Sequence, residues 1–214
     1  MKTLIAVPCM DMVHTAFFAS YSHMRKVGDT MLSCCQNSLI YDARNRLGKS
    51  ALETGADRIL WLDSDMVLPV DLMERLSEDL GNGCECVSSL YFKRVPPHEP
   101  VAYKTLQRNE TADGGVEIEV ESVKEWPADQ LFEVEGIGFG ACMMTTDLYR
   151  RVYEEYGLPF SPLLGLGEDL SFCARAQKLG AKLYCDSRVK PRHIGMMAFD
   201  ERMYYAGRSK KNEN

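Results

Sequence analysis

The chain has 214 residues, 45% of them hydrophobic, enough to bury a real core in one large domain or two tightly fused halves. Twenty-five Lys and Arg against 31 Asp and Glu leave a net charge of -6 with no long basic stripe, which argues against electrostatic binding to nucleic acid. No apolar run approaches the roughly 18 residues of a membrane span, and Pro8 and Asp11 cut the opening segment short of a signal-peptide core, so a cytoplasmic location is expected. The 8 cysteines form no CxxC pair and no zinc-ribbon pattern, and are expected to be reduced thiols that mostly fill the core.

Residues 3–8 (TLIAVP) and 30–35 (TMLSCC) read as strands. Between Leu39 and Gly55, apolar residues recur at helical steps, and Gly55 is placed to stop the helix. RILWLDS (58–64) reads as a third strand, continuous in apolar character because a parallel strand is covered on both faces. Pro69 suits the first turn of a helix whose face is Leu72, Met73, Leu76 and Leu80 and whose stop is Gly81. CVSSLYF (86–92) follows as a fourth strand, and the alternation predicts a mostly parallel sheet joined by crossover helices.

The second half reads differently. RVPPHEP breaks the pattern, VEIEVESV (116–123) alternates with period two, and 131–145 reads as one glycine-interrupted strand. These predict antiparallel additions to the sheet. A helix from Asp169 to Leu179 with Gly180 as its stop, then the strand KLYCD, complete the pattern. The terminal GRSKKNEN is polar and expected to fray.

Asp63-Ser64-Asp65 follows four apolar residues, at the strand end where open parallel sheets bind ligands. It reads either as a turn whose side chains bond nearby amides, or as a holder of a hard divalent cation shared with substrate phosphates. Glu168 and Asp169 at a helix start are favoured there by the helix dipole, and Asp169 is also a general base if its pKa is moved toward working pH. His193 returns after one helix and one short strand, and would complete a carboxylate and histidine site suited to Mn2+ at least as well as Mg2+. Arg44 lies off the apolar face of its helix, as a solvated charge or a two-pronged diphosphate ligand. Gly136, Gly138 and Gly140 lack the dinucleotide-loop context and suggest a bulge or a close approach of substrate to backbone. Tyr91, Trp126 and Phe139 are core residues or stacking surfaces for a sugar or base.

ILWLDSDM, VEGIGFGACMM, GEDLSFCARAQKLGAKLYCD and RHIG, in that order from about Thr3 to Gly195, resemble the GT-A fold glycosyltransferases, in particular the soluble family-2-like enzymes of bacteria and phages. The resemblance implies a single GT-A-like domain over 1–205, with a nucleotide-binding half at about 1–95 and an acceptor half at about 96–205, then a polar tail over 206–214. It implies a UDP- or GDP-linked sugar donor, an acceptor hydroxyl, and Mn2+ or Mg2+ held by Asp63, Asp65 and His193. Pro8, Arg44, Asp63 and Ser64 would contact the donor, Asp169 would be the base of an inverting transfer, and Gly136, Gly138 and Glu168 would lie on the acceptor side. The chain departs from the pattern where an aspartate commonly follows the second strand, having CCQNS instead, and it lacks the Q-x-x-R-W signature of processive synthases, so a non-processive transfer is expected.

WLDSDMV also matches the haloacid-dehalogenase-like phosphatase motif, with Asp63 as nucleophile and Asp65 as acid, although two strands precede it here. A sugar nucleotidyltransferase would need a glycine-rich basic loop after the first strand, which VPCMDMVHTAF lacks. The remaining alternative is a non-catalytic module that binds a sugar or nucleotide.

Overall fold

Leu4 to Val7 are buried without a break because their strand, β1 (Lys2–Pro8), has a parallel neighbour on each edge and apolar layers on both faces. The computed structural model describes residues 1–111 and 114–195. After β1 come α1 (Thr15–His23), β2 (Asp29–Cys35), α2 (Ile40–Glu53), β3 (Arg58–Leu62), β4 (Met66–Val67), α3 (Leu72–Gly81) and β5 (Cys86–Ser89). Then follow β6 (Ala102–Glu110), β7 (Val116–Ser122), β8 (Leu131–Val134), β9 (Gly136–Ile137) and β10 (Ala141–Thr145). The described chain closes with α4 (Thr146–Tyr156), α5 (Glu168–Lys178), β11 (Leu183–Asp186) and β12 (Arg192–His193).

The central sheet has 7 strands in the order β2-β1-β3-β10-β5-β11-β8. Strands β2, β1, β3, β5 and β11 run one way, and β10 and β8 run against them. This is the mostly parallel sheet with antiparallel additions that the patterning predicts. The two-residue period of β3 sends Ile59 and Trp61 to a layer with Leu47 of α2, Leu148 of α4 and Phe172 of α5. Leu60 and Leu62 go to the opposite layer, against Phe17 of α1 and Leu72, Met73 and Leu76 of α3. Two smaller sheets, β12-β4 and β7-β6-β9, lie outside this frame.

Several boundaries differ from the sequence reading. Residues 131–145 are three strands in two sheets: β8 pairs with β11, β9 with β6, and β10 with β3 and β5. Close packing causes the breaks, since a Cβ on Gly138 would come within 2.0 Å of the Tyr91 hydroxyl. The third strand stops at Leu62 and the fourth at Ser89, so Asp63 and Tyr91 lie in the connections beyond them. Pro69 precedes α3 by three positions instead of opening it. The 206–214 tail and the end of the 96–205 segment lie outside the described residues.

Candidate active site

The parallel strands β1 and β3 end at the same edge, which brings Pro8 and Asp63 together. The amide of Asp63 donates to the Gly140 carbonyl at 2.9 Å and that of Met66 to the Asp63 carbonyl at 3.1 Å, pinning the turn that carries both aspartates. From α2, Arg44 enters beneath the turn, and the first turn of α5 brings Glu168 and Asp169 to the same edge. A cavity of about 360 Å³ results, lined by Pro8, Arg44, Asp63, Ser64, Asp65, Glu168 and Asp169 among others. Seven of the sequence-selected residues are thus gathered. Gly136 and Gly138 are buried in packing against Leu170, Tyr103, Tyr91 and Val101 and do not line it.

Arg44 is only 1% exposed, a correction to its expected place off the buried face of its helix. Its Nη2 donates to Asp63 Oδ1 at 3.1 Å, while Nε lies 3.4 Å from Asp169 Oδ1 and 3.6 Å from Glu168 Oε1. Its guanidinium also sits within about 6 Å of the Trp61, Phe139 and Phe160 rings. Burial disfavours its charge, but three facing carboxylates overcome that and hold it firmly protonated. One cation cannot neutralise three anions. Burial, aided by Glu168 and Asp63 and opposed by Arg44, pushes Asp169 up to about 8. Asp63 is raised as well, first by burial and then by Asp65 and Glu168, against the pull of Arg44.

The pairing of β12 with β4 places His193 opposite Met66, and the Ile194 amide donates to the Asp65 carbonyl at 2.8 Å. His193 Nε2 thereby comes to 3.5 Å from Asp65 Oδ2. His193 Nδ1 lies 3.0 Å from the Phe92 carbonyl oxygen, which only accepts, so Nδ1 carries the hydrogen. In the neutral ring, Nε2 then turns a lone pair toward a carboxylate oxygen. The contact is favourable only with a cation between the two or a proton on Nε2. Asp65 raises the His193 pKa against the effect of burial, and Asp65 itself, despite partial burial, is held below the usual range by His193 and Arg94. Arg94 Nη1 donates to the same Asp65 oxygen at 2.8 Å, a partner that the sequence reading passed over. Its signal was its position, a basic residue just past a strand end in RVPPHEP.

The metal site expected from Asp63, Asp65 and His193 is not assembled as three protein ligands, because Asp63 faces Arg44. Among the described residues, no three His, Cys, Asp or Glu side chains are close enough to hold a metal ion by themselves. Tyr91 and Phe139 are buried in the core, and Trp126 packs edge-on against Phe92 at 5.8 Å between ring centres, so these aromatics bear first on packing.

Two solved structures are similar to this chain in fold. A197 from STIV matches with a TM-score of 0.62 and 19% identity over 92% of this chain and 87% of that one. GalNAc-T7, crystallised with UDP, GalNAc and Mn2+, matches with a TM-score of 0.61 and 8% identity over 92% of this chain. The fold is GT-A. The match spans 44% of the GalNAc-T7 chain. No family model and no curated protein matches in sequence, so the likeness concerns the fold alone. Within the GT-A frame the cavity lies at the strand ends where both aspartates stand. Among the described residues no helix is long and apolar enough to cross a membrane.

Proposed function

We propose that this chain transfers a sugar from a nucleoside-diphosphate donor to an acceptor hydroxyl in a single, inverting displacement. The observation that carries the reading is the Asp65–His193 contact at the rim of a carboxylate-lined GT-A cavity, a pair that a divalent cation can bridge in place of a proton on Nε2. Asp65 and His193 would hold a divalent ion shared with the donor. A bound Mn2+ or Mg2+ would supply positive charge against the leaving diphosphate.

The residues divide the remaining work. Pro8 and Ser64 border the donor, with Asp63 held by Arg44 beneath it. Arg94, half exposed and now spent on Asp65, is the guanidinium available to the diphosphate. Arg44 is committed to the carboxylates and acts as their positioning residue. Asp169 takes the acceptor's proton as that oxygen bonds to the anomeric carbon, and the diphosphate departs with the electron pair of the broken bond. The phosphatase reading is weakened by the GT-A fold and by the ion pair of Asp63 with Arg44, which occupies the would-be nucleophile.

The test is thermal stabilisation by UDP- and GDP-sugars with and without Mn2+, followed by turnover. The wild type should be stabilised only when metal and nucleotide are both present. Asp65→Asn should lose that effect, whereas Asp169→Asn should keep it and lose at least about a hundredfold in turnover. Stabilisation of the wild type by none of these donors overturns the proposal, and full retention of turnover by Asp169→Asn removes Asp169 as the base.

A further inference from the structure

A second cavity, of about 480 Å³, opens between β6, the end of α4 and the last turns of α5. Leu106, Leu163 and Tyr156 are among its lining residues, and its charged lining residues are Arg108, Arg175 and Lys178. Among the described residues no acidic side chain lines it.

Arg175 is the unusual member, because it is 8% exposed and no carboxylate among the described residues pairs with it. Its Nη1 donates to the Pro159 carbonyl at 2.8 Å and the Ser161 carbonyl at 2.7 Å, tying the 159–161 segment to α5. Its guanidinium carbon lies 5.8 Å from the centre of the Tyr156 ring. That structural duty uses one nitrogen. Among the described residues Nε and Nη2 have no hydrogen-bond partner, and Arg175 lines the cavity. Lys178, one turn on and exposed, has no ion-pair partner among the described residues. The negative end of the α5 dipole favours cations at both positions. It does not explain a buried guanidinium lining a hollow in which none of the described lining residues is acidic. A buried cation is ordinarily matched by an anion, and none of the described lining groups supplies one.

We infer that this cavity binds a small organic anion, with a carboxylate or phosphate head on the guanidinium of Arg175 and on Lys178, and an apolar body over Leu106, Leu163 and the Tyr156 ring. The fork of Arg175 suits the paired oxygens of either head, and the volume falls in the range of small-molecule sites. The site is independent of the sugar-transfer reading. Asp169 and Arg175 lie six residues apart on α5, about 9 Å along its axis, so the two cavities occupy opposite ends of one helix.

The experiment titrates the full chain, free of divalent metal and nucleotide, with phenylpropionate, phenyl phosphate and neutral phenylpropanol, observing ligand saturation transfer by NMR. Both anions should bind at least about tenfold more tightly than the alcohol. Lys178→Glu, at an exposed position that leaves the fold intact, should weaken the anions about tenfold, Arg175→Met should abolish their binding, and Asp65→Asn should leave it unchanged. The inference is overturned if the alcohol binds as well as the anions, if Lys178→Glu changes nothing, or if Asp65→Asn removes the signal. Inorganic phosphate binding as tightly as phenyl phosphate would overturn the apolar half of the assignment.

Discussion

Arg44 determines what the carboxylates around it can do. A helical wheel that counts only apolar residues places it at the margin of the buried stripe of α2, yet Ala43, Arg44 and Asn45 are all buried. Asn45 is drawn in because its Oδ1 accepts from the Phe160 amide at 2.9 Å and its carbonyl from the Tyr149 hydroxyl at 3.0 Å. Arg44 is drawn in by three acids from two distant segments, a partnership that a linear reading cannot see. Asp63, Asp65 and Asp169 were each legible as site candidates because they follow an apolar strand or open a helix. Their sharing of one cation was not. Removing that cation leaves facing anions in a poorly hydrated place, so Arg44→Met should cost about 3–5 kcal/mol in urea denaturation at neutral pH. Adding Asp63→Asn should recover part of the loss, since Asp63 is hydrogen-bonded to that guanidinium and would be left facing Asp65 and Glu168. A double variant no more stable than Arg44→Met would mean that the guanidinium stabilises by packing alone.

At the scale of elements, long strongly periodic segments were legible and short or weakly patterned ones were not. Strands β1, β2 and β3 and helices α2 and α5 lie within a few residues of their predicted spans because burial on a regular face writes a period into the sequence. Helix α1 escaped because only Phe17 of its nine residues is buried, so no stripe forms. Helix α4 carried a usable signal that was not read: the Thr145 hydroxyl caps the Leu148 amide, with Leu148, Tyr149 and Val152 buried beyond it. One junction between elements makes stability depend on pH. Arg188 bridges Asp79, near the end of α3, at 2.5 Å and Asp186, at the end of β11, at 2.9 Å, while Oδ2 of each aspartate is buried without a partner. Burial first, then Asp186, raises Asp79 to about 6 against the pull of Arg188. An acid whose folded pKa exceeds its unfolded value stabilises fully below the unfolded value, and that contribution is lost as pH rises through the folded one. Stability measured by urea titration should therefore fall by about 1–3 kcal/mol between about pH 4 and pH 7 on account of Asp79. Asp79→Asn, which keeps a permanent donor, should flatten that part of the profile, and an unchanged slope in the variant would show that Asp79 does not carry it.

Across the whole molecule, the sheet cannot be divided along the sequence. Strand β10 lies between β3 and β5, pairing Ala141 with Leu62 on one side and Met143 with Val87 on the other. A fragment ending at Val95 would contain β3 and β5 but nothing to join them, and would expose the apolar edge of each. Such a fragment should show no cooperative thermal transition and should aggregate, whereas one ending at Gly195 should melt as a single unit. A well-folded monomer from the short fragment would show that the strands can close up without their partner. The alternation of strands and helices announced a parallel sheet, but the insertion of β10 was not legible, since five residues of ACMMT carry no mark of which neighbours they will join.

The same insertion sets an order of events at birth. When the ribosome has released β1 through β5, the strand that will stitch them together lies more than fifty residues behind and has yet to emerge. The nascent chain must hold two sticky flanks apart until Ala141–Thr145 emerges, so slow translation across 96–140 lengthens exposure to chaperones, and the carboxylate cavity takes shape only in the last stage of synthesis.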